Sequence, residues 1–153
     1  LEPLPIGELI HDVVQKFSLV ARDRQVTLAA DVAAEPTLVN IDIALLERAL
    51  DNLIDNALRH TPAGGHVTVC SERRGDRVRV TVLDTGPGLT PIEADRVFVR
   101  FYRGDRGRCS PSGHAGLGLA IVKSILELHG GAVAVDSQPG QGAAFYFELP
   151  IIG

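Results

Sequence analysis

The feature that most constrains the fold is the stretch IALLERALDNLIDNALRH, residues 43–60. Asp42 before it suits a helix N-cap, and Pro62 and Gly64 after it are stop signals, so the segment is predicted to form one long helix. A helix with a single apolar stripe needs a second layer to bury that stripe. The apolar residues that form this stripe recur every three or four positions, at Leu46, Leu50, Leu53 and Ala57.

Two hairpins are predicted to supply the second layer. Residues 66–74 and 77–84 alternate apolar and polar side chains around a Gly75-Asp76 turn, which is typical of paired strands. Residues 132–138 and 143–150 repeat this pattern. The apolar face of the first hairpin carries Val78, Val80 and Val82, and that of the second carries Phe145, Phe147 and Leu149.

The remaining periodicities complete an α+β fold. A helix is expected over Ile6–Arg24, short strands over 26–32 and 37–41, a short helix after DTGPG, and a helix over about 116–129. Because helices and strands come in mixed order, we expect a two-layer α/β sandwich in which about three helices cover one face of a mixed sheet. With 153 residues the chain is long enough for one core, so we expect a single domain, 1–153.

Composition excludes several function classes. The net charge of -4 and the scattered basic residues argue against nucleic acid and against direct membrane contact by this domain. Cys70 and Cys109 form no C-x-x-C pair, so neither a zinc site nor a disulfide framework is indicated, and a reducing compartment is expected. The chain begins at Leu1, so we expect it to be a fragment of a longer protein.

A first group of candidate functional residues lies on the long helix. Asn52, Asn56 and Arg59 fall within about 60° of one another at roughly 100° per residue. An amide oxygen suits Mg²⁺, an amide NH₂ group can donate to phosphate, and a guanidinium binds phosphate bidentately. The alternative is that each asparagine is a solvated side chain on the helix face or bridges to a loop.

The second group is DTGPG, at the end of a predicted strand. Asp84 keeps the parity of the buried valines, so its carboxylate should lie on the buried face, where it needs a donor. The exocyclic amino group of an adenine is one candidate, and Gly86 and Gly88 would let the backbone approach a flat base. A turn in which Asp84 accepts only from nearby backbone amides is the alternative.

Two further motifs flank a polar, glycine-rich loop. In VFVRFYRG the aromatic side chains suit a clamp that holds the start of the loop, and an arginine such as Arg103 could reach a terminal phosphate. In AGLGLAIVK, Gly116 and Gly118 precede an apolar helix whose free N–H groups attract anions. Core anchoring and close helix packing are the respective alternatives, and neither a P-loop nor a dinucleotide fingerprint is present.

In this order, the four motifs resemble the N, G1, F and G2 boxes of the ATP-binding catalytic domain of sensor histidine kinases. The motifs are DNLIDNALRHTP, DTGPG, FVRFYR and GLGLAIV. That family is grouped with gyrase, a class of heat-shock chaperones and the mismatch-repair ATPases. The resemblance covers nearly the whole chain and implies that ATP and Mg²⁺ are the cofactors.

The resemblance also implies roles for the helical motif and the strand-end carboxylate. Asn56 would be a catalytic residue and the Mg²⁺ ligand, with Asn52 in support. Arg59 and His60 would contact phosphate or ribose, and Asp84 would accept from the adenine amino group.

Roles are implied for the glycine-rich segments as well. Gly86 and Gly88 would make room for the base, Arg103 would act as a catalytic residue at the γ-phosphate, and residues 103–116 would form a mobile ATP lid. The sequence departs from the family pattern at His114 and Ala143, so we expect binding with lower affinity. The backbone amides that would hold phosphates are those of Gly116, Leu117, Gly118 and Leu119.

The chemistry implied is phosphoryl transfer, because hydrolysing relatives carry a glutamate where Asn52 stands, and an amide cannot take the proton. None of the five histidines lies in the sequence context of a phospho-acceptor. The acceptor histidine is therefore expected on a separate dimerisation and phosphotransfer domain of the same kinase. The expected full-length protein is a homodimer, anchored in a bacterial membrane with this domain in the cytoplasm, and its partner is a response regulator.

Two alternatives stay open. One is an anti-sigma-type serine kinase or a nucleotide-regulated binding module, which shares the asparagine and glycine motifs. The other is a true ATPase of the gyrase or chaperone kind, against which Asn52 argues.

Overall fold

The computed structural model describes residues 1–99 and 118–152. Helices and strands in these residues follow one another in mixed order, as the sequence predicts. The helices are α1 Ile6–Lys16, α2 Ser18–Asp23, α3 Ile43–His60, α4 Pro91–Arg96 and α5 Gly118–Leu128. The strands are β1 Glu2–Pro5, β2 Thr27–Asp31, β3 Leu38–Ile41, β4 His66–Arg74, β5 Arg77–Asp84, β6 Val133–Ser137 and β7 Ala143–Pro150.

The main sheet has the strand order β2-β4-β5-β7-β6. β2 pairs with β4 in parallel, and the other three pairings are antiparallel, so the sheet is mixed as predicted. Both predicted hairpins are confirmed. The register places Asp84 opposite Val67 on one side and opposite Ala143 on the other.

Helices α1, α3 and α5 pack on one face of this sheet. The predicted two-layer arrangement with three covering helices is therefore confirmed. The opposite face is open to solvent, and Leu83 there is 45% exposed. The core between the layers contains the predicted stripe of α3 and the predicted faces of both hairpins: Leu46, Leu50, Leu53, Ala57, Val78, Val80, Val82, Phe145, Phe147 and Leu149.

The prediction of one continuous helix over Ile6–Arg24 is wrong. The first helix ends at Lys16, and Phe17 has φ -92° and ψ 1°, outside regular helical geometry. The Ser18 hydroxyl donates to the Gln15 carbonyl at 2.8 Å, which satisfies a carbonyl at the end of α1. A second short helix, α2, begins at Ser18.

Strand β1 was not predicted from the sequence. Its sequence, EPLP, contains two prolines, which have no N–H to donate and are confined to edge positions in sheets. β1 pairs antiparallel with β3 in a separate two-stranded sheet, and a bridge between Val39 and Ile151 joins the C-terminal segment to it.

Two predictions concern residues outside the described ranges. The proposed lid, 103–116, lies there, and so does the start of the helix expected from Gly116. Within residues 1–99 and 118–152, every helix is too short or too polar to cross a bilayer.

Candidate functional site

Helix α3 carries the two asparagines. Its start is fixed by Asp42, whose side chain accepts from the Leu45 N–H at 3.0 Å, as the predicted N-cap requires. Asn56 lies beside the apolar stripe and is only 8% exposed. The Asn52 Nδ2 group is buried and has no hydrogen-bond partner in the described residues. Because an unpaired buried donor is costly, this amide is suited to a ligand acceptor.

The C-terminal turn of α3 carries Arg59 and His60. Arg59 Nε donates to Asp55 Oδ2 at 3.1 Å, so its guanidinium already has a carboxylate partner. His60 is exposed, and its Nδ1 lies 2.8 Å from the Asn56 carbonyl oxygen. A carbonyl can only accept, so Nδ1 carries a proton. Nε2 accepts a hydrogen bond when the ring is neutral and donates one when the ring is charged.

Asp84, the last residue of β5, lies on the buried face as predicted and is 5% exposed. Its Oδ1 accepts from the Gly86 N–H at 2.9 Å. Burial raises the pKa of the Asp84 carboxyl above its usual range, against opposing effects of the Gly86 N–H, the His60 charge and the Ala143 N–H. The local amide contact that the sequence analysis left open is therefore present, while a carboxylate retains further lone pairs for a ligand.

Gly86 and Gly88 lie against protein backbone. A Cβ at Gly86 would lie 2.6 Å from the His60 carbonyl oxygen, and one at Gly88 would overlap the Gln138 carbonyl oxygen. Gly88 also has φ +73°, which favours glycine. Close packing therefore gives both positions a reason to be glycine, and their contact with a base stays a prediction.

The structure brings three of the four predicted motifs together. The carbonyl of His60, at the end of α3, lies against Gly86, and the Asn52 carboxamide lies 3.9 Å from the position of a Cβ at Gly118. Gly118 and Leu119, both partly buried, thus begin the described part of α5 beside the asparagine face. The remaining predicted site residues, Arg103, Gly116 and Leu117, lie outside the described residues.

The start of the aromatic motif is anchored as predicted. Phe98 follows α4, and its ring packs edge-on against Phe145, with 5.9 Å between centroids and 89° between planes. The helix before it begins with a capping box between Thr90 and Glu93, which the sequence analysis did not use. The contact between Phe98 and Phe145 anchors the chain shortly before residue 100, where the described range is interrupted.

Two residues that support the Asp84 loop were missed by the sequence analysis. Thr85 Oγ1 accepts from the His66 N–H at 2.9 Å, and the Thr85 N–H donates to the His66 carbonyl at 3.1 Å. Ser137 Oγ accepts from the Leu89 N–H at 2.8 Å. A serine or threonine beside a glycine-rich turn hints at such bonds, but its partner depends on the sheet register.

The described residues include no group of three or more His, Cys, Asp or Glu side chains that could hold a metal ion. A metal bound beside Asn56 would thus take few protein ligands and rely on phosphate and water oxygens. Mg²⁺ binds in this way beside nucleotides, so the donor set fits Mg²⁺.

Comparison with known proteins identifies the family. A family model described as "Histidine kinase-, DNA gyrase B-, and HSP90-like ATPase" matches residues 41–152. The chain belongs to this family, as the four motifs predict. Among curated relatives, the alginate biosynthesis sensor protein KinB of Pseudomonas aeruginosa is 40% identical over 144 residues, which cover 94% of this chain and 24% of KinB. The chain thus spans about a quarter of that relative's length.

Solved structures agree with the fold. Full-length ShkA in complex with AMPPNP matches with a TM-score of 0.88 and 36% identity, covering 99% of this chain and 31% of ShkA. The catalytic domain of histidine kinase ThkA matches with a TM-score of 0.85 and 28% identity, covering 97% of this chain and 93% of that domain. ThkA in complex with the response regulator TrrA also matches, with a TM-score of 0.81 and 26% identity, over 98% of this chain and 41% of that chain. The predicted α+β fold is therefore that of histidine kinase catalytic domains.

Proposed function

We propose that this domain binds Mg²⁺-ATP and supplies the γ-phosphoryl group to a histidine on a separate dimerisation and phosphotransfer domain of the same kinase. The observation that carries the proposal is Asp84, a carboxylate buried at the end of β5 and oriented by the Gly86 N–H. An adenine amino group can donate to it, whereas the guanine oxygen at the same ring position cannot.

The asparagine face of α3 supports the phosphate end of the proposal. Asn56 would provide an amide oxygen to Mg²⁺. The Nδ2 of Asn52, which has no partner in the part of the chain that the structure describes, would donate to a phosphate oxygen. The start of α5 near Asn52 would offer backbone N–H groups, including those of Gly118 and Leu119. Bound Mg²⁺ would neutralise phosphate charge, which is the main requirement of phosphoryl transfer.

Further residues are proposed to contact the nucleotide on the basis of the family resemblance. His60 Nε2 would donate to phosphate from the charged ring or accept from a ribose hydroxyl in the neutral ring. Arg59 would contact phosphate or ribose on leaving Asp55. Arg103 would approach the γ-phosphate, and the amides of Gly116 and Leu117 would extend the phosphate site. We further propose a response regulator as the partner and a membrane-anchored homodimer as the full-length protein.

Titration of this chain with a fluorescent ATP analogue and Mg²⁺ tests the proposal. The wild type should bind saturably, and Asp84→Asn and Asn56→Ala should each weaken binding by about tenfold or more, as expected for hydrogen bonds to charged groups and lost metal ligation. Absence of saturable wild-type binding, or unchanged binding by both variants, contradicts the proposal.

The acceptor distinguishes this function from its nearest alternative. A sensor histidine kinase transfers label from ATP to a histidine, and phosphohistidine is acid-labile. A serine kinase of the anti-sigma type produces acid-stable phosphoserine. During incubation with labelled ATP, this domain should transfer the label to the separately expressed dimerisation domain. Acid treatment should then remove that label. Appreciable steady-state phosphate release would instead favour a true ATPase.

A further inference from the structure

The turn between β6 and β7, residues 138–142, docks along the Asp84–Leu89 loop. The Gly140 N–H donates to the Pro87 carbonyl at 2.6 Å. Gly88 lies against the Gln138 carbonyl oxygen, and Gly142, at φ +78°, lies against the Asp84 carbonyl oxygen so closely that any Cβ would overlap it. The loop that carries the buried carboxylate is therefore held by backbone contacts along its length.

The Ser137 hydroxyl links the end of the Asp84–Leu89 loop to the end of the β6–β7 turn. It accepts from the Leu89 N–H at 2.8 Å and donates to the Gly142 carbonyl at 2.7 Å. Leu89 ends the loop, and Gly142 packs against its first residue, Asp84. Ser137 is partly buried and paired with Ala143 in the β6–β7 ladder, so its position is set by the sheet.

We propose that Ser137 is a positioning residue for nucleotide binding, because its hydroxyl fixes the Asp84–Leu89 loop against the β6–β7 turn. This inference rests on the proposed function. A ligand that uses the Asp84 carboxylate needs that group oriented before binding, since ordering a loop on binding reduces affinity. Both hydrogen bonds that the described residues give the Ser137 hydroxyl go to backbone groups, those of Leu89 and Gly142, so Ser137 would act on the nucleotide indirectly, through Asp84.

The chemistry of the side chain makes the inference specific. Only a group that both donates and accepts at one atom can serve the Leu89 N–H and the Gly142 carbonyl together. Threonine retains such a hydroxyl, and its β-branch suits a strand. Alanine can do neither, and the thiol of cysteine is a weak donor and acceptor of similar shape.

The test measures the affinity for a fluorescent ATP analogue with Mg²⁺ in the wild type, Ser137→Ala, Ser137→Thr and Ser137→Cys. Loss of two hydrogen bonds should weaken binding by roughly three- to tenfold in the alanine and cysteine variants. Ser137→Thr should stay within about twofold of the wild type because the hydroxyl remains. If Ser137→Ala does not fold, Ser137→Cys carries the comparison.

Ser71 offers a matched control. Ser71 is buried in strand β4, four residues from Val67, which pairs with Asp84. Its Oγ accepts a hydrogen bond from the N–H of Ala33, in a loop, at 3.2 Å. Ser71→Ala should lower the melting temperature but leave nucleotide affinity within about twofold, since its hydrogen bond holds a different loop. Amide hydrogen exchange at Leu89, measured without nucleotide, should accelerate in Ser137→Ala and not in Ser71→Ala.

The outcomes separate this inference from the proposed function. Wild-type binding with unchanged affinity in both Ser137→Ala and Ser137→Cys overturns this inference alone. Equal affinity losses in Ser137→Ala and Ser71→Ala also overturn it, because they would reflect general destabilisation. Absence of saturable wild-type binding overturns the proposed function and this inference together.

Discussion

Asp84 Oδ1 accepts a 2.9 Å hydrogen bond from the N–H of Gly86, two residues further along the chain. This bond fixes the orientation of the carboxylate in a residue that is only 5% exposed. The carboxylate is therefore oriented in the nucleotide-free protein, although burial of its charge is unfavourable. Such a cost is common at functional sites, where ligand recognition and stability compete.

We predict that Asp84→Asn is more stable than the wild type at neutral pH. Burial raises the pKa of the Asp84 carboxyl in the folded protein above its ordinary value of 3.8. The stabilisation that the protonated carboxyl gives is therefore complete below pH 3.8 and is lost as the pH rises through the folded-state pKa. Above that pKa the wild type buries a charge, whereas the variant keeps an oxygen for the Gly86 N–H. Thermal unfolding should show a gain of a few degrees at neutral pH that disappears below about pH 3.8. A variant less stable at neutral pH contradicts this.

We predict that Asn52→Ala separates stability from binding. The Nδ2 group that it removes is buried and has no partner among residues 1–99 and 118–152, so the variant should unfold within about 0.5 kcal/mol of the wild type or be up to about 1 kcal/mol more stable. Its affinity for Mg²⁺-ATP should fall several-fold. Denaturant unfolding and nucleotide titration check the two parts, and a large destabilisation would mean that Asn52 serves the free fold.

Gly88→Ala should destabilise the protein more than Gly75→Ala. Both glycines have positive φ, 73° and 64°, so both substitutions strain the backbone by about 1 kcal/mol. Only Gly88 faces a carbonyl oxygen, that of Gln138, whereas a Cβ at Gly75 would meet nothing within 4 Å. Overpacking should add about 1–3 kcal/mol at Gly88, measured by denaturant unfolding. Equal losses would show that this contact is easily relieved.

His129 should stabilise the junction between α5 and α3. Its Nε2 accepts from the Asp42 N–H at 3.0 Å, and its Nδ1 donates to the Ile125 carbonyl at 2.8 Å. His129→Ala should cost about 1–2 kcal/mol of unfolding free energy. Lys123→Ala, at an exposed position of α5, should change stability by less than about 0.5 kcal/mol. If the two variants are equally stable, these hydrogen bonds contribute no net stability.

The elements that sequence patterns predicted best are those with a strong local signal. Helix α3 begins and ends where its cap and stop signals indicate, and the hairpin of β4 and β5 follows its alternating pattern and Gly75 turn. The break at Phe17 and strand β1 were missed, because the first interrupts a continuous apolar periodicity and the second contains prolines. Strand β1 depends on pairing with β3, which lies more than thirty residues further along the chain.

The candidate site likewise combines features that a local sequence pattern predicts with features that it does not. The parity of β5 was enough to predict that Asp84 is buried, and helical spacing was enough to group Asn52 with Asn56. The role of Ser137 depends on the pairing of β6 with β7 and on a turn that reaches another loop, which no short pattern encodes. The family resemblance placed the motifs in one site, but the backbone groups that hold them follow only from the three-dimensional fold.

The central claim is that Asp84 recognises the adenine amino group, and the ratio of ATP to GTP affinity tests it most directly. The wild type should favour ATP by about tenfold or more, because guanine presents an oxygen to the carboxylate. In Asp84→Asn the introduced amide oxygen should keep the Gly86 N–H, so the NH₂ group is free to donate to guanine. The affinity ratio should therefore fall by at least about tenfold in the variant. An unchanged ratio would contradict the account.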